Sequence, residues 1–129
     1  KQHHRFFTDQ HMELDGLRDL RAVLFPPVLM IFFFTAFALP VGLALAWIAS
    51  PNVGWLFVAT SLGYFLNYEF LHMAYHLPAS HPVGRWPLVG RLKRLHQAHH
   101  DPRLMAHYNF NITYPIFDAV FGTLHRPHR

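Results

Sequence analysis

The stretch PVLMIFFFTAFALPVGLALAWIAS, residues 27–50, contains no charged side chain, and it restricts what the chain can become more than any other feature. At about 1.5 Å per residue, a helix of this length spans a hydrocarbon core of about 30 Å. Pro26 and Pro27 suit the first turn of such a helix, where no backbone donor is missed. Pro40 and Gly42 predict a kink, which membrane helices tolerate. After the turn signal Ser50-Pro51-Asn52 comes a second apolar run, VGWLFVATSLGYFLNYEFLHMAYHL. So short a connection predicts two antiparallel transmembrane helices, about 27–49 and 53–77. Trp47 and Trp55 flank the turn, where an interfacial aromatic belt would sit, and Gly54, Ser61 and Gly63 offer small surfaces for close packing. With 52% hydrophobic and 14% charged residues, the composition is lopsided for a soluble domain. A buried hairpin in a soluble all-α domain is the rival reading, and two runs this long and this poor in charge argue against it.

All eleven Lys and Arg residues lie before Pro26 or after Pro78, with none in the turn. By the positive-inside rule both ends of the hairpin face the cytoplasm, across a bacterial inner membrane or the endoplasmic reticulum. The expected fold class is therefore all-α integral membrane: an antiparallel transmembrane hairpin with a cytoplasmic histidine-rich helical cap over residues 78–129. Before the hairpin, DGLRDLRAVL reads as a short helix or turn. Within the cap, PLVGRLKRLHQAHH reads as an amphipathic surface helix, with Leu88, Leu92 and Leu95 on one side and Arg91, Lys93 and Arg94 towards the other. The tail HYNFNITYPIFDAVFGTLHRPHR reads as a loop with one short helix ending at Gly122. The opening residues KQHHRFFTDQ lack the apolar core of a secretory signal, and the chain does not begin with methionine. We expect an N-terminally truncated single domain, 1–129, and no nucleic-acid partner.

Twelve histidines and no cysteine stand in this apolar setting, so a bound metal would have to be held by imidazole or carboxylate. His72 and His76, at i and i+4, share a helix face near the end of the second run, and His96, His99 and His100 share one on the next helix. His72 lies roughly 28 Å along a helix from Val53, which places the pair near the cytoplasmic boundary. His3 and His4 precede the first span on the same side. Seven histidines from three stretches thus reach one level, and a nitrogen-rich cluster fits iron, zinc or copper, with more ligands than one ion needs. The competing readings are an ordinary helix surface for the pair and, for the triplet, an anionic-lipid patch with Arg91, Lys93 and Arg94. His11, His81, His125 and His128 have no such partners and read as solvated; His107, just after the triplet, is an additional candidate.

Glu69, one turn before His72, is the only charge in either apolar run. An ionisable residue at that depth is functional by default. It can bind metal directly, accept the outer ring N–H of a ligating histidine, or snorkel to the interface; the outer-shell role is the expected one. Asn67, Tyr68 and Tyr75 can join that shell. Asp101 can do the same for His100 or cap a helix end.

These motifs resemble the fatty acid hydroxylase / sterol desaturase superfamily of membrane histidine-box enzymes. YEFLHMAYH resembles the second H-x3-H box, HQAHH the second H-x2-HH box and NFNITYPIFDAVFGT the terminal signature, so the likeness covers nearly the whole chain as a C-terminal half. HHRFFT resembles the end of an earlier H-x2-HH box, whose first histidine would fall one position before Lys1. The resemblance implies a centre of two iron ions, with zinc as a substitute, ligated by His3, His4, His72, His76, His96, His99 and His100. It also implies O2-dependent hydroxylation or desaturation of a membrane lipid, with electrons from a partner such as cytochrome b5 or a ferredoxin. No residue is expected to act as nucleophile or general base. Two other classes stay open: a non-catalytic scaffold subunit of a larger membrane complex, and a structural or transport site for zinc.

Overall fold

A computed structural model describes residues 7–8, 11–78 and 80–126. Every regular element among them is helical, and the single β-bridge, Thr8 with His11, is isolated. The expectation of an all-α chain is met. The chain divides into two compact units, Phe25–Glu69 and the residues on either side of it. The division falls inside a helix between Glu69 and Phe70; the helix itself ends at His76, beside the end at about 77 expected from the sequence.

In the Phe25–Glu69 unit, α2 (Pro27–Phe33) passes through a π turn (Phe34–Ala38) into α3 (Leu39–Ile48). Pro27 opens α2 with the pre-set φ that a first turn wants. The π turn is the local answer to Pro40, which has no N–H and whose ring crowds the turn before it. Instead of a plain kink, the Leu39 N–H reaches five residues back to the Phe34 carbonyl. α4 (Pro51–His76) starts after two linking residues, with the Ser50 hydroxyl accepting the Val53 N–H at 3.3 Å as an N-cap. Aromatic contacts pair Phe25 with Tyr68, Phe33 with Phe65 and Phe37 with Phe57. That descending and ascending order defines antiparallel neighbours. At the closest approach Gly42 faces Gly54, where an added Cβ would run into the Gly42 carbonyl oxygen and Ala46. Gly63, expected to pack similarly, has nothing within 4 Å of where a Cβ would stand.

This pair buries little of itself. Trp47 is 89% exposed, Leu56 68% and Phe32 66%, so its outer surface is apolar almost throughout. Among the described residues one helical run, Leu20–Ile48, is long and apolar enough to cross a membrane, and 11% of its apolar stretch is buried.

The other unit starts from a 3-10 turn (Leu17–Asp19) running into α1 (Leu20–Val23). It also takes the last turns of α4, a 3-10 turn (Val83–Arg85), α5 (Pro87–His100) and α6 (Ile116–Val120). Its core joins Leu71, Ala74 and Tyr75 of α4 to Val89 and Leu92 of α5. That packing is why the end of α4 belongs here. Lys93 Nζ donates to the Leu77 carbonyl at 2.7 Å and so closes the end of α4. The buried stripe of α5 runs through Val89, Leu92, His96 and His100, whereas Leu88 is 58% exposed. A helix starting at Pro87 leaves Leu88 in its first turn, 100° away from Val89. α6 ends as expected, with Gly122 at φ 71° and the Thr123 N–H returning to the Asp118 carbonyl at 2.8 Å.

Gly54→Leu should destabilise the helix pair by about 1–3 kcal/mol through overpacking, while Gly63→Leu should change it by less than about 0.5 kcal/mol. Unfolding of the two variants by SDS in mixed micelles measures both.

Candidate metal centre

α4 delivers His72 and His76 from one face, and α5 delivers His96, His99 and His100. The i, i+4 and i, i+3, i+4 spacings read from the sequence are helical, and the two helices bring the rings together. His76 Nε2 lies 3.2 Å from His96 Nε2, which lies 3.2 Å from His100 Nε2. His72, His76 and His96 each present a ring nitrogen within 4.8 Å of the other two. The His99 ring centroid stands 6.0 Å from that of His96 and 6.1 Å from that of His100. His72, His76, His96 and His100 are no more than 6% exposed.

Proton bookkeeping decides what such a cluster is suited to hold. His76 donates from Nδ1 to the Met12 carbonyl at 2.7 Å, and His100 donates from Nδ1 to the Phe7 carbonyl at 2.7 Å. Each neutral ring therefore keeps a lone pair on Nε2, aimed inward. His96 Nε2, between them, carries at most one hydrogen, which satisfies one of those two lone pairs well. Adding a proton is disfavoured. Burial first, then the neighbouring imidazoles of His72, His100, His76 and His99, holds the His96 ring well below the ordinary histidine value. Burial likewise lowers His99, opposed by a hydrogen bond to the Asn109 backbone and by Asp118. A metal cation removes the conflict. Two nitrogens bound at about 2.1 Å and about 100° apart are about 3.2 Å from each other, the separation seen in both pairs. The buried trio His72, His76 and His96 can thus hold a metal ion, with His100 adjoining it.

The carbonyls of Phe7 and Met12 perform the outer-shell task expected of carboxylates: each fixes a tautomer and a ring orientation. Phe7 also lays its ring 4.2 Å from that of His76. His3 and His4 lie outside the described residues. Glu69 differs from expectation, since its carboxylate accepts the Phe25 N–H at 3.1 Å, at the start of the α2 segment where two prolines leave that amide without a helical acceptor. Asp101 also differs. The Phe7 carbonyl already takes the His100 Nδ1–H, and Asp101 instead accepts from the Arg103 backbone at 2.9 Å and its guanidinium at 3.0 Å. Those Arg103 contacts keep its carboxyl below the usual carboxylate range. Tyr75, fully buried, leans its ring on His96 at 5.2 Å and donates its O–H to the Thr113 carbonyl at 3.2 Å. It packs the ligand and ties the tail to α4. His107 is exposed, with its ring beside Tyr108. His11 pairs with Asp15, His81 accepts the Val83 N–H, and the His125 ring lies beside Tyr108.

Compared with known proteins, the chain matches no family model, no curated protein and no solved structure.

Rings held neutral by burial make stability depend on pH in a definite sense. Below about pH 6.5 an unfolded chain takes up protons that buried His96 and His99 refuse, so stability falls as the pH drops from there towards their depressed folded values. For His96 the slope approaches about 1.4 kcal/mol per pH unit. Thermal unfolding of the metal-free protein between pH 7.5 and 5, in steps of about half a unit, should show the loss. His96→Gln should flatten it.

Proposed function

We propose that the chain forms the C-terminal part of a membrane-embedded, non-haem di-iron oxygenase that hydroxylates or desaturates a lipid. The observation that carries this reading is the set of inward Nε2 lone pairs on His76 and His100, fixed by backbone carbonyls and 3.2 Å from His96 Nε2. Four imidazoles buried against one another, two of them held from behind by backbone carbonyls, are what a metal ion needs. The apolar outer surface of the Phe25–Glu69 unit supports a bilayer setting. In this reading the helices at 27–49 and 53–77 cross the membrane, and the histidine-bearing unit lies on its cytoplasmic side.

His72, His76, His96, His99 and His100 hold iron in this proposal. His3 and His4 complete the ligand set, as the resemblance to the fatty acid hydroxylase / sterol desaturase superfamily implies. Bound iron would supply O2 activation, with two electrons delivered one at a time by a donor such as cytochrome b5 or a ferredoxin and two protons taken from water as a C–H bond is oxidised. Hydroxylation places one oxygen atom in the lipid and the other in water; desaturation releases both as water. The chain's own contributions are orientation and exclusion. The Met12 and Phe7 carbonyls hold the imidazole tautomers, Tyr75 and Phe7 cover the rings, and burial keeps His96 unprotonated and able to ligate.

Metal analysis of the full-length protein purified in detergent should find iron. Reconstitution with Fe2+, a reductant and 18O2 should give an 18O-labelled or desaturated lipid by mass spectrometry. His96→Ala should lose bound metal and reduce product at least about 100-fold. Protein without metal and without product would leave a scaffold role; stoichiometric zinc without product would leave a structural or transport site.

A further inference from the structure

A helix at a protein surface ordinarily turns its apolar side chains inward and its charge outward. α6 does the reverse. Asp118, the only acidic residue in the stretch 102–129, is 2% exposed; its Oδ1 accepts the Phe110 N–H at 2.9 Å and the Thr123 hydroxyl at 2.7 Å, and its Oδ2 accepts the Asn111 N–H at 2.8 Å. Those three bonds satisfy the carboxylate from inside the fold, so it needs no contact with water. Ile116, Phe117, Val120 and Phe121 take the outside instead, at 63, 60, 69 and 74% exposed. Their spacing of i, i+1, i+4 and i+5 gathers them on one side, and the rings of Phe117 and Phe121 stack with centroids 6.2 Å apart.

This apolar face is firmly mounted. Asn109, 2% exposed, donates from its N–H to the Thr123 carbonyl at 2.9 Å and from Nδ2 to the Leu95 carbonyl of α5 at 3.3 Å, and the Thr113 carbonyl accepts the Tyr75 hydroxyl of α4. The tail is thereby tied to both helices that carry the histidines. We propose that α6 is a bilayer contact: Ile116, Phe117, Val120 and Phe121 rest in the headgroup and acyl boundary of an anionic leaflet and set the height of the histidine-bearing unit against it. The inference rests on the bilayer setting proposed above.

Charge favours lipid as the occupant. An acid on this face would be repelled by anionic headgroups, and the one acid available is turned away from it. The exposed charges of the described tail, on Arg103 and Arg126, are basic and attract the same headgroups. Tyr108 and Tyr114, at 38 and 37% exposed, bring rings that combine an apolar body with a polar tip, as suits the headgroup level. A protein partner that comes and goes would leave four large apolar side chains in water between encounters. A bilayer crossed by 27–49 and 53–77 is always at hand, and tethering makes even a weak contact persistent.

Because the sequence has no cysteine, single labels can be placed cleanly. Val120→Cys and Leu43→Cys, at positions 69 and 58% exposed, are each tagged with a nitroxide in the full-length protein, reconstituted in vesicles of phosphatidylcholine and phosphatidylglycerol. Electron paramagnetic resonance then compares collisions with O2, which concentrates in lipid, and with a water-soluble nickel chelate. Circular dichroism confirms helix content in both. The label at 120 should meet O2 and escape nickel, at a depth of about 5–10 Å into the boundary, and the label at 43 should do so more strongly. Nickel reaching 120 while 43 stays in lipid overturns the inference alone. A label at 120 shielded from both reagents means that protein covers α6, a second copy or another chain, and overturns it as well. A label at 43 that O2 does not reach in preference to nickel overturns it together with the bilayer setting.

Discussion

Burying four imidazoles side by side, with a fifth half-buried beside them, is costly unless each is neutral, oriented and given something to bind, and the histidine-bearing unit is organised around those three conditions. Neutrality comes from desolvation and from mutual repulsion of the rings, strongest at His96 in the middle. Orientation comes from outside the cluster, from the carbonyls of Met12 and Phe7. The third condition would be met by a metal ion, which the buried trio His72, His76 and His96 could hold. Helix α5 and the end of α4 pack through Leu71, Ala74, Tyr75, Val89 and Leu92, a small core set directly beside the rings. Packing and ligation thus use the same two helices, on adjoining faces.

The Phe25–Glu69 unit obeys a different economy. Its helices meet through glycine, small residues and stacked phenylalanines, and it turns its larger apolar side chains outward. Such a unit keeps few apolar side chains out of contact with its surroundings. The π turn ahead of Pro40 gives the backbone new partners inside the helix where a proline would leave them unpaired. Glu69 belongs to this economy too: its carboxylate satisfies an amide stranded before two prolines.

What could be read from the residues was whatever depends on spacing. The histidines fall at helical intervals, and the helices bring His72, His76, His96 and His100 together; Pro27 begins a helix and Gly122 ends one, as their chemistry demands. What could not be read was whatever depends on the backbone of distant residues. A carbonyl oxygen is the same in Phe7 and Met12 as anywhere else, so no residue type announces it. Glu69 and Asp101 looked like partners for histidine because carboxylates commonly are, yet amides and a guanidinium lay closer. Val89 was not picked out from its neighbour Leu88 because the two are equally apolar, and only the packing against α4 tells them apart. The bonds that tie Asn109, Asp118 and Thr123 together could not be read either, since the motif shows the residues but not which of them meet.

The use of main-chain oxygen behind His76 and His100 has an evolutionary corollary. Side chains at positions 7 and 12 can drift while the contacts persist, provided the chain follows the same path. Selection acting there would be felt as intolerance of insertions and deletions, not as a preferred letter. A position of this kind stays silent in any comparison that counts identities and becomes audible only in one that counts gaps.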